Sequence, residues 1–214
     1  MADSTRGERM KLVALDLEGS GAQDREREAI LEIAVVPLQG RRPDLSATYS
    51  TLINPERPIP QHRWISPGLT DDVLSTAPAL FDVQQHLAAR IDGVYLVGHN
   101  IGVDWRLLHR KCPDITPAGL IDTLRLARTI DRKAGNSLAA LIDRYALTSD
   151  VNRLASGSVP HRALWDTIAA ALLLPVLAAS ALGPGNTDDM LLAAVGVPIT
   201  HSTAATGFQA ALFD

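Results

Sequence analysis

Four carboxylates and one imidazole could carry chemistry in this sequence, and they fall in three short motifs. The residues are Asp16, Glu18, Asp104, His161 and Asp166. Carboxylate oxygens are hard ligands that suit Mg²⁺ or Mn²⁺, and two such ions can clamp the attacking and the leaving oxygen of an in-line displacement. An unperturbed histidine has a pKa of about 6.5, so His161 is the candidate general base. This set of residues predicts two-metal hydrolysis of a phosphodiester.

The first two carboxylates follow an apolar run at 12–15 that predicts a buried strand. Side chains two residues apart on a strand point to the same face, so Asp16 and Glu18 are expected to meet at the end of this strand. A lone pair of this kind is weak evidence, because such acids also cap helices and solvate loops. Function is favoured because two further motifs follow in order, each at the end of a predicted element.

The second motif follows a strand predicted at 94–97, and the third begins the last long apolar helix. Asn100 is expected to be the N-cap of a helix that carries Asp104 in its first turn. His161, directly after a proline, is expected to open the last helix, with Asp166 early within it. Placing these groups at element ends agrees with the usual position of binding sites in open α/β sheets.

The three motifs resemble those of the DEDDh family of 3′→5′ exonucleases, which contains the epsilon proofreading subunit of bacterial DNA polymerase III and ribonuclease T. The D-x-E motif matches Asp16 to Glu18, the second motif matches His99 to Asp104, and the H-x₄-D motif matches His161 to Asp166. A sister group has Y-x₃-D in the third motif, but the residue four before the last aspartate is Arg162. The similarity covers about residues 11–180 and includes the stretches ILEIAVV, LINPERPIP, LVGHN, IDTLRLAR and NSLAALIDRYAL.

The resemblance implies a fold, a cofactor and a role for each residue. The expected fold is α/β, a ribonuclease H-like mixed sheet flanked by helices. Two ions of Mg²⁺ or Mn²⁺ would be held by four carboxylates while His161 acts as the base. These carboxylates are those of Asp16, Glu18, Asp104 and Asp166. The 3′ terminal nucleotide of a strand would lie in a pocket lined by Asn100 and by the backbone around Leu17 and Gly19.

Three departures from the family pattern lie near this expected pocket. Gly19 and Ser20 stand where threonines are usual, and Val103 stands where a phenylalanine is common. The stretch often written I-H-G-I-T is ISPGLT at 65–70, which is one residue longer and lacks the histidine. These changes affect how the terminal base would be bound, so the preference of the enzyme for DNA or RNA stays open.

The apolar patterns predict consecutive strands followed by alternating strands and helices, which favours an α/β sheet of mixed direction. Strands are predicted at 12–16, 29–37, 47–53, 94–97 and 119–121, and helices at 70–75, 79–91, 103–111, 123–130, 137–146 and 162–181. The predicted organisation is a flexible lead (1–10), an exonuclease domain (11–182) and a C-terminal tail (183–214) with a short helix at 188–195.

The formal net charge of −4 would become near neutral with two bound divalent ions. No basic stripe is visible, which argues against tight duplex binding through many phosphates and favours a short single-stranded 3′ end. Cys112 is the only cysteine, which excludes an intramolecular disulfide and a cysteine-based zinc site. The N-terminus lacks an apolar signal core, and the apolar run at 168–182 is short for a membrane span and contains Pro175. These features predict a cytoplasmic protein with no membrane contact.

The tail ends in QAALFD, which resembles the Q-x-x-L-F peptide with which bacterial replication and repair proteins dock on the sliding clamp. In that interpretation Gln209 makes polar contacts while Leu212 and Phe213 enter an apolar groove. The alternative is that the apolar residues of the tail fold back on the domain.

Three tryptophans and one further histidine lie near the motifs. Trp105 and Trp165 each adjoin a predicted ligand, and packing in the core is the favoured role for both. Trp64 lies in the Pro-rich loop, where stacking on a base is the less favoured of its two roles. His99 is predicted to be a structural residue and not a metal ligand.

Together, these patterns predict a metal-dependent 3′→5′ exonuclease that releases nucleoside monophosphates from single-stranded or frayed DNA ends. Two alternatives stay open. The first is the same chemistry on short RNA. The second is an accessory protein whose main role is assembly with a polymerase or a sliding clamp, against which the intact set of four carboxylates argues.

Overall fold

The computed structural model describes residues 10–21, 27–59, 65–197 and 199. In this part of the chain, seven strands form one mixed sheet flanked by helices. The strands are β1 (Leu12–Gly19), β2 (Ile30–Gln39), β3 (Arg42–Pro43), β4 (Tyr49–Leu52), β5 (Tyr95–Gly98), β6 (Gly119–Asp122) and β7 (Gly196–Val197). The helices are α1 (Asp71–Ser75), α2 (Leu80–Ile91), α3 (Gly102–Lys111), α4 (Thr123–Ile130), α5 (Leu138–Arg144), α6 (Thr148–Leu154), α7 (Ala163–Leu182) and α8 (Asp188–Val195).

The strand β1 lies inside the sheet, whose order is β3-β2-β1-β5-β6-β7, with β4 also paired to β2. It pairs antiparallel with β2 and parallel with β5. Its first four residues, 12–15, are all buried because helices cover both faces of the sheet. The end of β1, which carries the first predicted motif, therefore lies between two layers of helices.

Two apolar clusters fill the two faces of the sheet. The helix α7 packs on one face over β1 and β2, in a cluster that contains Ala14 and Val36. The helices α2 and α3 pack on the other face, in a cluster that contains Leu15 and Val35. Because side chains alternate along a strand, the residues of β1 that follow Ala14 at intervals of two lie on the α7 face.

The helix α7 is apolar nearly all round, because it packs on the sheet and also contacts α4, α5 and α6. Its Thr167 hydroxyl donates to the carbonyl of Ala34 on β2 over 3.4 Å. Length and composition alone would let this helix cross a membrane, but 61% of its apolar window is buried inside the domain. It continues through Pro175. The predicted core helix is therefore present.

Most predicted elements are present, with ends shifted by a few residues. The helix α6 was not predicted, and the two-residue strands β3 and β7 are too short to produce a periodic pattern. The short helix expected at 188–195 is α8, which contacts α4, α7 and β6. Directly after it, β7 pairs antiparallel with β6 and extends the sheet.

Candidate active site

Three carboxylates meet at the end of β1, on the face that α7 covers. Asp16, Glu18 and Asp166 each contribute one carboxylate oxygen, and these atoms all lie within 4.8 Å of one another. The strand supplies two of them because residues two apart share a face, and the first turn of α7 supplies the third. All three residues remain partly accessible to solvent.

Asp104 approaches the same end of β1 from the other side of the sheet. It lies in the first turn of α3, and its Oδ1 accepts the backbone N–H of Leu17 over 3.1 Å. Leu17 lies between the two acids of β1, so this hydrogen bond places the Asp104 carboxylate next to them. The pKa of Asp16 is raised well above its usual range, first by burial and then by the charge of Asp104.

The pKa values of the other three carboxylates are also raised, and burial is the largest cause in each case. The pKa is raised to about 7 for Glu18 and for Asp104. It is raised to about 6 for Asp166. Repulsion between neighbouring carboxylates adds to the effect of burial, so the charged cluster is unfavourable unless a cation neutralises it.

This donor set fits a hard divalent cation. The three close ligands are all carboxylate oxygens, which Mg²⁺ and Mn²⁺ prefer over the nitrogen and sulfur ligands typical of zinc. The fourth carboxylate, Asp104, lies beside them and is fixed by its bond to β1. Four carboxylates at one strand end give enough negative charge for two divalent ions.

His161 lies on an exposed turn directly before α7. Its backbone is left-handed, with φ of 64°, and its N–H donates to Oδ1 of Asp166 over 3.4 Å. The helix begins at Ala163, one residue after the predicted start at 162. The prediction that His161 opens this helix is wrong, because a left-handed residue cannot be part of an α-helix. The imidazole is thus carried on a turn whose backbone contacts a carboxylate of the cluster.

A fifth acid, Glu32, lies beside the cluster and was not predicted from the sequence. It stands on β2 opposite Glu18 and is only 5% exposed. Arg162 binds its carboxylate with two hydrogen bonds, from Nε to Oε2 over 2.7 Å and from Nη2 to Oε1 over 2.9 Å. The sequence feature that could have indicated Glu32 is that it is the single charged residue inside the apolar run ILEIAVV, because a charge in a buried strand needs a partner.

The loop at 65–70 reaches the cluster through Ser66, which was also not predicted as a site residue. Its hydroxyl donates to Oε2 of Glu18, and the side chain is buried. This hydrogen bond lowers the pKa of Glu18, although burial outweighs it and the pKa is raised overall. The loop in which the sequence departs from the family pattern is therefore in contact with the acidic cluster.

The prediction that Asn100 is the N-cap of α3 is wrong. The cap residue is Ile101, without a side-chain hydrogen bond, and Asn100 has a left-handed φ of 65°. An N-cap residue normally has an extended backbone, so a left-handed residue cannot serve in this way. The turn is held instead by Asp122, whose Oδ1 accepts the backbone N–H of Asn100 over 2.9 Å.

His99 holds two segments together. Its Nδ1 lies 3.0 Å from the Thr123 hydroxyl, and its Nε2 lies 2.9 Å from the carbonyl oxygen of Asn136. Burial lowers its pKa, which favours the neutral ring that can both donate and accept. The structural role that was predicted for His99 agrees with these contacts.

Trp105 and Trp165 are both buried, in agreement with the predicted packing role. The ring of Trp105 stacks on His109 with a centroid distance of 5.0 Å. The Nε1 of Trp165 donates to Oδ1 of Asn152 over 2.9 Å. Both rings therefore support the helices that carry Asp104 and Asp166.

The residues predicted to line a nucleotide pocket lie around the end of β1. Leu17 is buried, and the register of β1 with β2 shifts between Glu18 and Gly19. A Cβ at Gly19 would approach Cδ2 of Leu107 to 3.2 Å, so the strand passes close to α3 here. Trp64, Gln209, Leu212 and Phe213 lie outside the described residues. The binding roles of all these residues stay predictions.

Comparison with known proteins identifies relatives of this chain. Residues 13–174 match the family model RNase_T, described as exonuclease. The DNA polymerase III subunit epsilon-like protein of Rhodobacter capsulatus is 32% identical over 183 residues, which are 82% of this chain and 25% of that protein. The DNA polymerase III subunit epsilon of Buchnera aphidicola is 28% identical over 176 residues, which are 77% of this chain and 71% of that protein. This chain thus spans about a quarter of the length of the first relative.

The structure of Exonuclease X in complex with 5′ overhanging duplex DNA is similar in fold, with a TM-score of 0.62 and 27% sequence identity. The match covers 84% of this chain and 96% of Exonuclease X. The predicted fold class, a ribonuclease H-like mixed sheet flanked by helices, is therefore confirmed. Since the family model covers most of its length, this chain belongs to the RNase_T family of exonucleases, as its three motifs predicted.

Proposed function

We propose that this protein is a metal-dependent 3′→5′ exonuclease that releases nucleoside monophosphates from single-stranded or frayed DNA ends. The observation that carries the proposal is the meeting of Asp16, Glu18 and Asp166 within 4.8 Å in a member of an exonuclease family. Asp104, fixed to the same strand through Leu17, completes a set of four carboxylates.

Asp16, Glu18, Asp104 and Asp166 would hold two ions of Mg²⁺ or Mn²⁺. When bound, such ions supply Lewis-acid stabilisation of the charge that develops on the phosphate oxygens. His161, on the turn next to Asp166, would accept the proton of the attacking water. Its exposed position leaves the ring free to turn toward a bound strand end.

The proposed substrate is a short single-stranded 3′ end. The net charge of −4 gives no electrostatic basis for holding a long duplex. Leu17, Gly19 and Asn100, around the end of β1, would contact the terminal nucleotide. Exonuclease X, which this chain resembles, is described with DNA that has a 5′ overhang, and this favours DNA over the alternative of short RNA. We also propose that the protein is soluble and cytoplasmic.

The test is digestion of 5′-labelled single-stranded DNA and RNA of matched sequence with Mg²⁺, Mn²⁺ or EDTA. The expected result is a ladder that shortens from the 3′ end of DNA and that EDTA abolishes. Asp16→Ala and His161→Ala should lose this activity, whereas Asp150→Ala, an exposed acid on α6, should keep it. Activity that persists in Asp16→Ala would refute the metal assignment, and faster digestion of RNA would favour the alternative substrate.

We further propose that the C-terminal residues Gln209, Leu212 and Phe213 dock on a sliding clamp. The support is the Q-x-x-L-F pattern together with similarity to DNA polymerase III epsilon subunits. Deletion of 209–214 should abolish capture of purified clamp while digestion of short oligonucleotides is unchanged. If the full-length protein captures no clamp either, this docking does not occur.

A further inference from the structure

The buried carboxylate of Glu32 lies beside the proposed metal ligands and adds a further negative charge to the site. Glu32 and Glu18 are directly opposite on neighbouring antiparallel strands. Cross-strand neighbours share a face of the sheet, and like charges in that position repel. The charge of Glu32 also contributes to the raised pKa values of Asp16, Glu18 and Asp166. An unpaired Glu32 would therefore be a fifth negative group next to the cluster.

Arg162 neutralises this group with a fork of two hydrogen bonds, of 2.7 and 2.9 Å. The arginine side chain is 25% exposed and the glutamate side chain 7%. A bidentate pair of this kind fixes the relative orientation of the two side chains and also neutralises their charges, because both the guanidinium and the carboxylate are planar. We refer to this ion pair as the Arg162–Glu32 bridge.

The bridge joins three segments that surround the cluster. Oε2 of Glu32 accepts the N–H of Ala163, the first residue of α7, over 3.2 Å. Nη1 of Arg162 approaches the carbonyl of Pro67 at 3.4 Å, directly after Ser66 in the loop that contacts Glu18. Arg162 is also the residue after His161. One ion pair therefore connects β2, the start of α7 with the candidate base, and the loop at 65–70.

We propose that Arg162 and Glu32 are positioning residues for hydrolysis: their bridge holds the His161 turn and the Ser66 loop in the arrangement that the reaction needs. This inference rests on the proposed exonuclease function. Neither residue is among the proposed metal ligands or the proposed contacts of the nucleotide. Arg162 acts by fixing its neighbours in space, and Glu32 acts by holding Arg162 away from the acidic cluster.

Substitution of Glu32 and substitution of Arg162 should shift the affinity for metal in opposite directions. In Glu32→Gln the guanidinium loses its partner carboxylate and lies beside the cluster as a competing cation, so Mn²⁺ should bind about tenfold more weakly. In Arg162→Gln an unpaired carboxylate remains beside the cluster, so Mn²⁺ should bind more tightly than to the wild type. The double variant Glu32→Gln/Arg162→Gln removes both charges and can keep an amide hydrogen bond. Its Mn²⁺ affinity should return close to that of the wild type.

The rate should fall in every single variant, because loss of the bridge frees the turn and the loop. At saturating Mn²⁺ and oligonucleotide, kcat of Arg162→Gln should fall on the order of 10- to 100-fold while KM changes little. Arg162→Lys, which keeps the charge but loses the fork, should have an intermediate kcat. The exposed pair of Arg153 with Asp150 on α6, joined over 2.8 Å, gives the matched control Asp150→Asn/Arg153→Gln.

The experiment combines calorimetric titration of each variant with Mn²⁺ alone and steady-state digestion of a single-stranded oligonucleotide. Circular dichroism checks that each variant is folded. Metal affinities that shift in opposite directions, together with a loss of kcat absent from the control, would support the proposal. A fall in melting temperature with wild-type kcat at saturation, or metal affinities that shift the same way, would overturn it. If the wild type itself digests nothing, the proposed function fails, and the Mn²⁺ titrations still decide whether the bridge controls the metal site.

Discussion

The backbone N–H of Leu17 donates to Oδ1 of Asp104, and this 3.1 Å bond joins α3 to the middle of the D-x-E motif on β1. The carboxylate of Asp104 is thereby used twice, once to hold the strand and once to contribute charge to the cluster. The two uses can be separated by substitution, because an amide can still accept the hydrogen bond but carries no charge.

We therefore expect Asp104→Asn to lose activity as Asp104→Ala does, because both variants lose the charge, but to remain more stable than Asp104→Ala. Asp104→Ala leaves the Leu17 N–H without its partner, which costs about 1–3 kcal/mol of the free energy of unfolding. Urea denaturation in EDTA measures the stability of both variants, and oligonucleotide digestion measures activity. Equal stabilities of the two variants would show that the Leu17 bond contributes nothing to the fold.

The raised pKa values predict how stability depends on pH when no metal is bound. The pKa of Glu18 and Asp104 is about 7 and that of Asp166 about 6 in the folded protein, above the usual values of about 4 in an unfolded chain. The folded state therefore binds more protons between pH 4 and 7, and the stability that this confers is lost as pH rises through 6 to 7. In EDTA, the melting temperature should fall between pH 5 and pH 8.

Mn²⁺ should reverse this loss, because the ion competes with protons for the same oxygens. At a fixed Mn²⁺ concentration of about 100 times the dissociation constant at pH 8, the ion should add about 2.7 kcal/mol at pH 8 and much less at pH 5, where protons weaken its binding. Differential scanning fluorimetry across the pH range measures both effects. The double variant Asp16→Asn/Asp166→Asn should show a flatter profile in EDTA and little response to Mn²⁺. A wild-type melting temperature that rises with pH in EDTA would contradict the prediction.

Ser66→Ala should weaken metal binding in a way that depends on pH. The Ser66 hydroxyl stabilises the ionised form of Glu18, so its removal raises the pKa of Glu18 further. More of the glutamate is then protonated near pH 7, and Mn²⁺ should bind a few-fold more weakly there, with the difference shrinking by pH 9. Ser46→Ala is the control, because Ser46 is exposed in a short 3-10 helix (Leu45–Ala47) and its hydroxyl donates to the carboxylate of Asp44, which is not part of the cluster. A difference that persists unchanged at pH 9 would mean that the hydroxyl acts otherwise than through the proton on Glu18.

Gly98→Ala should destabilise the domain, because β5 passes very close to β1 at this point. A Cβ would lie 2.9 Å from the carbonyl oxygen of Leu15 and 2.7 Å from Cδ1 of Ile101. Relief of such contacts requires backbone movement, with an expected cost of about 1–3 kcal/mol. Gly135→Ala, where the nearest atom is 3.9 Å away, should stay within about 0.5 kcal/mol of the wild type. Equal urea midpoints for the two variants would refute the close approach.

Local patterns were enough to place the two acids of β1, because a period of two along a strand determines which side chains share a face. They also placed α3, whose apolar residues recur at helical spacing, and α7, whose apolar run is too long for a strand. They could not indicate Ser66 or Arg162, because the partners of these residues are 48 and 130 positions away in the chain. Asn100 was misassigned because its short polar side chain is common both at N-caps and in left-handed turns, and only the φ of 65° distinguishes the two.

The helix α7 follows β1 to β6 in the order of the chain, and this order affects when the site can form during synthesis. The first two acids are on β1, at the start of the domain, whereas Asp166 and His161 are made about 150 residues later. A nascent chain that already contains β1 to β6 still lacks these groups and the helix that covers the acidic face of the sheet. Because domains are synthesised from the N-terminus, the ligand set is completed only when nearly the whole domain has emerged. A nascent chain that stops before α7 would therefore lack part of the ligand set and would be unable to degrade nucleic acid.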